Sequence, residues 1–350
     1  MDTFELLKRL NAAHGPSGDE GQIRQVIQQL VKPFADEMTT DTMGNLIVHK
    51  RGAGPKLMFS AHMDSIGFIV THITKEGYLR CGRLGGVSPK ETVNTAVRFK
   101  NGVRGVFVKE EKADFAKLKL DECFIDIGAK DQDEAQKMVR IGDTAVYDTP
   151  MFCNSGKVIS PYLDNRIACV ILLRALEQLA ACENDCTFVF SVQEEVGLRG
   201  AKTASYAVDP DYGIAVDVTD VDDVPGSEQY GTTQLGKGAA VKVMDNSVIC
   251  HPKLVEKMEQ LAKARNIAVQ RDILRAGGTD AGVMSVNRCG VVTGGISIPC
   301  RYIHTPCEMI DLSDVDACVA LVVALAQTKL ETFPIKESEK EYGFTDKRKN

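Results

Sequence analysis

The sequence predicts an α/β fold interrupted by a small β-rich unit, and three observations carry that prediction. After Ser160, apolar strand-like runs alternate with helical stripes. From about Ile66 to Ile159 the texture differs: short β-like runs (Gly67 to Ile73, Ala96 to Phe99, Gly105 to Val108, Phe124 to Ile127) are separated by Gly- and Lys-rich turns. The residues before this stretch again read as helix and strand. We therefore expect a discontinuous α/β domain over residues 1–66 and 160–335, an inserted β-rich domain over 67–159, and a charged tail over 336–350.

Taken in order, Phe4, Leu6, Leu7 and Leu10 mark a first helix, broken by His14 to Gly18 (HGPSG). Ser17 with Glu20 has the spacing of a capping box that would open a second helix through Leu30. Leu46 to His49 and Leu57 to Ala61 read as strands, and one polar helix falls near Asp131 to Val139 in the β-rich part. Ile171, Leu172, Ala175, Leu176 and Leu179 form a helical stripe. Thr187 to Val192 is almost wholly apolar, as a strand covered on both faces requires. Further strands are expected at Tyr212 to Val216, Ala240 to Met244 and Gly290 to Ile298, with helices at Pro252 to Arg265 and Ser313 to Leu330.

Composition narrows the function classes. The 350 residues are 44% hydrophobic and 26% charged, with a net charge of -6. That mild acidity, without basic clustering, argues against nucleic-acid or membrane-surface partners. No run is long and apolar enough to cross a bilayer, and MDTFELLKRLNAAHG lacks the features of a signal peptide. Eleven cysteines, scattered through apolar segments without a Cys-x-x-Cys pair, suit a reducing cytoplasm better than a disulfide framework or a zinc ribbon.

The chemistry sits where strand-like runs end. His62 and Asp64 follow Leu57-Met58-Phe59, Glu194 and Glu195 follow Phe188-Val189-Phe190, and Asp217 follows Ile214-Ala215-Val216. Asp164 opens the helix after Pro161-Tyr162-Leu163, and His304 follows the Gly290 to Ile298 run. Ligands of open α/β sheets bind outside the carboxyl ends of the strands, so five segments can serve one edge. Two histidines with several carboxylates are a donor set for zinc, cobalt or manganese, and such a carboxylate cluster needs cations to offset its self-repulsion.

Each residue also has a plainer reading. His62-Met63-Asp64 places two side chains on one side of an extended chain, so Asp64 can orient the His62 ring; it could equally be a surface histidine beside a solvated acid. Glu194-Glu195 allows one metal ligand and one free base, or a solvated turn. Asp164 could be a helix cap, Asp217 a turn acid and His304 a core histidine. The Gly277-Gly278-Thr279-Asp280 turn could offer backbone N–H groups to a substrate or simply cap a short helix. His14, His49, His72 and His251 read as non-ligands.

Together the blocks AHMDSIGF, YLDNR, SVQEEVGLRGA, IAVDV, AGGTDAG and GGISIPCRYIHTPCE resemble, in order and over nearly the whole chain, the two-metal glutamyl and deblocking aminopeptidases that form tetrahedral dodecamers. The resemblance implies a zinc-exopeptidase-like α/β fold, a mixed sheet flanked by helices, with the inserted β-rich unit serving dimerisation. It implies two divalent ions per subunit, zinc or cobalt before manganese. His62 and Asp217 would hold one, Glu195 and His304 the other, and Asp164 both. Glu194 would be the general base, Asp64 would orient His62, and a cis peptide would join Asp164 to Asn165. The implied substrates are peptides with a free N-terminus. Two competing readings are a glycoside hydrolase using Glu194 and Glu195, since some relatives carry an endoglucanase label, and a non-catalytic binding scaffold. Adjacent carboxylates suit the first poorly, because such pairs must flank the scissile bond.

Overall fold

The computed structural model describes residues 1–227 and 232–331, so the charged tail expected over 336–350 lies outside the described residues. Two sheets organise them. The larger contains β1 (Glu37–Thr40), β2 (Leu46–Lys50) and β3 (Lys56–His62) from the N-terminal part. The chain then builds a closed barrel from β4 (Gly67–Ile73), β5 (Leu79–Leu84), β6 (Thr95–Phe99), β7 (Arg104–Lys109), β8 (Cys123–Asp126) and β9 (Thr144–Tyr147), in the order β4-β5-β8-β7-β6-β9. It returns to the large sheet through β10 (Phe152–Asn154), β11 (Lys157–Ser160), β12 (Asp185–Ser191), β13 (Tyr212–Asp220), β14 (Ala239–Met244), β15 (Val269–Ile273), β16 (Val292–Arg301) and β17 (Glu308–Asp311).

The large sheet runs β1-β2-β12-β3-β13-β16-β17-β11-β10, with β14 also pairing β16 and carrying β15. Its middle, β12-β3-β13-β16, is parallel, while β1-β2, β16-β17 and β17-β11 are antiparallel. This is a mixed α/β sheet flanked by helices with a barrel alongside, the fold class the sequence predicts.

Helices α1 (Thr3–Ala12), α2 (Gly21–Val31), α5 (Leu163–Gln178), α7 (Pro252–Ala264) and α9 (Leu312–Ala326) contribute to the main core, with the shorter α6 (Arg199–Val208) and α8 (Ala281–Ser285) packed beside β12 and β16. In the barrel lie α3 (Pro89–Thr92) and α4 (Gln132–Met138). Sequence chemistry accounts for several of them. Asp2 caps α1 by accepting a hydrogen bond from the Glu5 amide at 2.9 Å, and Leu6, Leu7 and Leu10 face inward. Phe188, Val189 and Phe190 of β12 are fully buried, and Phe59 stacks on Phe188 at 5.1 Å. Each such burial contributes roughly 1.5–3 kcal/mol. The barrel has its own core around Phe68 and Phe107, whose rings stack at 4.7 Å.

Two local expectations are corrected. Ser17 and Glu20 form no capping box: the Ser17 hydroxyl donates to Asp64 Oδ2 at 2.6 Å, and the Glu20 carboxylate takes the amides of Gly18 and Gln193. Both are drawn away by the edge of the sheet. Strand β13 does not end near Val216 but continues to Asp220, because β16 keeps pairing with it after β3 has stopped at Ala215.

Candidate metal centre

That early end of the β3–β13 ladder creates the site. Beyond Ser60 and Ala215 the two parallel strands separate. His62, the last residue of β3, and Asp217 of β13 face each other across the gap, with His62 Nε2 3.7 Å from Asp217 Oδ1. On the other flank of β3, Ser191 of β12 pairs with His62, so the following turn carries Glu194 and Glu195 to the same edge. The segment opening α5 supplies Asp164. Its peptide to Asn165 is cis, and both residues depart from helical geometry. Asn165 Nδ2 donates to the Val216 carbonyl at 3.0 Å, and the buried Arg166 guanidinium donates to Leu10 O and Gly15 O, so the Asp164 backbone is pinned from two sides. The loop from β16 to β17 brings His304.

All seven residues expected at the site therefore meet at one sheet edge. His62 Nε2 lies 3.1 Å from Asp164 Oδ1 and 3.8 Å from Glu194 Oε2. His304 Nε2 lies 3.3 Å from Asp164 Oδ2 and 3.2 Å from Glu195 Oε2. The two oxygens of Asp164 thus face different histidines. Ligand atoms of His62, Asp164 and Glu195, and separately of His62, Glu194 and Asp217, lie within 4.8 Å of one another. Asp164 Oδ1 and Glu195 Oε1 are buried without a hydrogen-bond partner among the described residues. Such orphaned carboxylate oxygens fit a cation, which would supply the missing partner.

The electrostatics agree. Burial acts to lower the His62 pKa, but Glu194, Asp217 and Asp164 outweigh it and hold it well above 6.5. His304 is likewise opposed by burial yet pushed up to about 12 by Asp164 and Glu195. Burial, reinforced by like charges, lifts Glu194 well above the usual carboxylate range, and lifts Asp217 to about 7 although His62 partly counters it. Desolvation would raise Asp164 too, but the neighbouring imidazoles of His304 and His62 keep it low. The carboxylates that raise both imidazoles are the same negative charge that a divalent ion would offset.

Asp64 has a broader role than its spacing suggests. His62 Nδ1 is 3.2 Å from the Asp64 backbone carbonyl and 3.5 Å from its carboxylate. The carboxylate itself accepts the amides of Glu194 at 3.0 Å and Glu195 at 3.3 Å. One buried acid thereby sets the tautomer side of His62 and the turn that presents both glutamates. Two further buried acids receive no role in the sequence reading. Asp280, just before α8, takes the hydroxyls of Ser60 and Ser191 beneath the cluster, each at 2.6 Å. Glu308 takes the amides of Asp164 and His304. Apart from the His304 amide, four residues from Glu308, only the fold brings these partners together.

The centre lies in a cleft of about 1940 Å³ whose walls include Asn94 and Ala96 of the barrel side, Phe152, Asp220, Asp222, the Gly277-Gly278 turn and Tyr302. The remaining histidines are elsewhere: His14 beside Thr144, His49 beside Thr187, His72 exposed on β4 and His251 capping α7.

Comparison with known proteins identifies relatives of the chain. The profile described as M42 glutamyl aminopeptidase matches residues 44–321. Lysyl aminopeptidase of Pyrococcus furiosus is 40% identical over 342 residues, covering 93% of this chain and 97% of that protein. Among solved structures, an aminopeptidase from the archaeon Desulfurococcus kamchatkensis is 37% identical with a TM-score of 0.89, covering 93% of this chain and 94% of its own. The TET1 peptidase of Pyrococcus horikoshii, described as assembling into a tetrahedron or a large octahedral shell, is 32% identical with a TM-score of 0.85 over 93% and 99%. A Thermotoga maritima structure named an endoglucanase is also similar, at 32% identity and a TM-score of 0.79 over 92% and 96%.

Proposed function

Because the chain belongs to the M42 glutamyl aminopeptidase family, a hydrolase family acting as exopeptidases, we propose that it removes N-terminal residues from peptides at a centre of two divalent cations. The observation that carries this reading is Asp164, whose two oxygens face His62 and His304 on opposite sides. His62 and Asp217 would hold one ion, Glu195 and His304 the other, and Asp164 both. Zinc or cobalt, and then manganese, match a donor set of imidazoles and carboxylates. When bound, such a pair supplies Lewis-acid polarisation of the scissile carbonyl and lowers the pKa of a water towards about 7.

The chain's own residues do the rest. Glu194 takes the proton of the attacking water and delivers it to the departing amine. Its backbone is fixed by Asp64 Oδ1, and its carboxylate lies 3.8 Å from His62 Nε2 with its side chain 10% exposed to the cleft. Buried acids line the cleft floor and Asp220 and Asp222 its wall, a field that favours the positive end of a peptide over its C-terminal carboxylate. The cleft volume suits a peptide rather than a single amino acid. Adjacent glutamates cannot straddle a glycosidic bond, so the geometry does not favour sugar hydrolysis.

The assembling relatives support a homo-oligomer, which we infer to be a dodecamer built from dimers joined through the barrel. All 11 cysteines are free, and among the described residues no helix is long and apolar enough to cross a membrane. The free thiols support a reducing, cytoplasmic setting.

The test is hydrolysis of aminoacyl-p-nitroanilides before and after chelation, with zinc, cobalt or manganese added back. Activity should vanish with the chelator and return with metal. Glu194→Gln should keep near-normal metal content and lose at least about 10²-fold in kcat, the scale for a general base. Full activity in that variant would remove Glu194 from its role.

A further inference from the structure

Glu308 opens β17 and is buried, 1% exposed, yet it belongs to none of the groups that face the cleft. Its Oε2 accepts the backbone N–H of Asp164 at 2.8 Å, and its Oε1 accepts the backbone N–H of His304 at 2.9 Å. The first partner is 144 residues away in sequence, the second only four. The position is built for this. Glu308 pairs with Ser160 at the end of β11, the strand that leads into the Asp164 turn, while β17 also pairs with β16, from which the His304 loop departs. One side chain thus ties together the two segments whose side chains meet at Asp164 Oδ2 and His304 Nε2.

The two ends of this clamp are not equally secure without it. Asp164 is flanked by Asn165 and Arg166, each anchored to other elements. His304 stands on a loop where Tyr302 and His304 both adopt left-handed backbone geometry, at φ 60° and 65°. Its side chain is 34% exposed, against 2% for His62. A carboxylate can accept both amides, whereas a carboxamide has one acceptor oxygen and turns its NH2 towards the other N–H.

We propose that Glu308 is a positioning residue that completes the His304–Glu195 half of the metal centre. By holding the His304 backbone in register with Asp164, it sets the affinity of the cation on that side and leaves the His62–Asp217 side unaffected. This rests on the two-cation reading above.

The experiment is a cobalt titration of the full-length apoprotein, followed by visible absorption and by metal counting after gel filtration. It compares wild type, Glu308→Gln and Glu308→Asp, whose shorter side chain can reach only one amide. Thermal melts establish that each variant is folded, and the Asp variant is read in the same way if the Gln variant does not fold. Wild type should take up two cobalt ions per chain. The variants should keep the first binding step and weaken the second by tenfold or more, with kcat recovering at saturating cobalt. Two unchanged steps in a folded variant, or equal weakening of both, would overturn the role of Glu308 while leaving the two-cation reading intact. Fewer than two ions in the wild type would overturn that reading itself, and this proposal with it.

Discussion

His14 shows how a single side chain writes a pH dependence into the structure. Its ring is buried, with Nε2 2.7 Å from Thr144 Oγ1 on the barrel and 3.4 Å from Asp19 Oδ2. Desolvation pushes its pKa down to about 4; Asp19 opposes this and Arg98, Lys100 and Arg166 add to it. In the unfolded chain the ring titrates near 6.5. Its folded pKa is depressed, so its contribution to stability is fully present above about 6.5 and is lost as pH falls towards 4. The midpoint of urea unfolding should therefore fall across that window. His14→Gln should remove part of the fall, as comparison of the two pH series would reveal. At this scale the sequence was most informative for residues that end strands: His62, Asp64, Glu194 and Glu195 stand out by position. Asp280 and Glu308 do not, because all but one of their partners, the His304 amide four residues from Glu308, lie 89 to 220 residues away.

Among the elements, two junctions shape the centre. One is the parting of β13 from β3 after Ala215, which makes room for Asp217. The other is the turn after β5 of the barrel. A Cβ placed on Gly86 would lie 2.3 Å from His304 Nδ1, and one on Gly85, at φ 72°, would lie 2.8 Å from Glu195 Oε2. These glycines let the barrel backbone press against two candidate ligands. Gly86→Ala should displace the His304 ring and lower kcat/KM by about 10²-fold, the scale of an ångström-sized misplacement. Its melting temperature should stay near that of the wild type. An alanine variant with full activity would show that the turn does not hold His304. The strands around these junctions were legible as apolar runs, and the helices as capped stripes. The extension of β13 to Asp220 was not, because it depends on β16, about 80 residues later, continuing the ladder. Nor was the engagement of Ser17 by Asp64, which overrides a local capping pattern.

The whole molecule joins a parallel-centred sheet, which collects the candidate ligands at the carboxyl ends of its strands, to a barrel that closes one side of the cleft. The change of texture between residues 66 and 159 announced two kinds of architecture in one chain. How closely the barrel approaches the centre could not be read, since it turns on the few atoms around Gly85 and Gly86. The central claim is that Asp164 is shared by two cations at this sheet edge. A crystal structure of the cobalt-loaded protein with anomalous difference maps tests it most directly. Two peaks per chain are expected, both within coordination distance of Asp164, one also touching His62 and Asp217 and the other Glu195 and His304. A single peak, or a pair of which Asp164 contacts only one, would contradict the account.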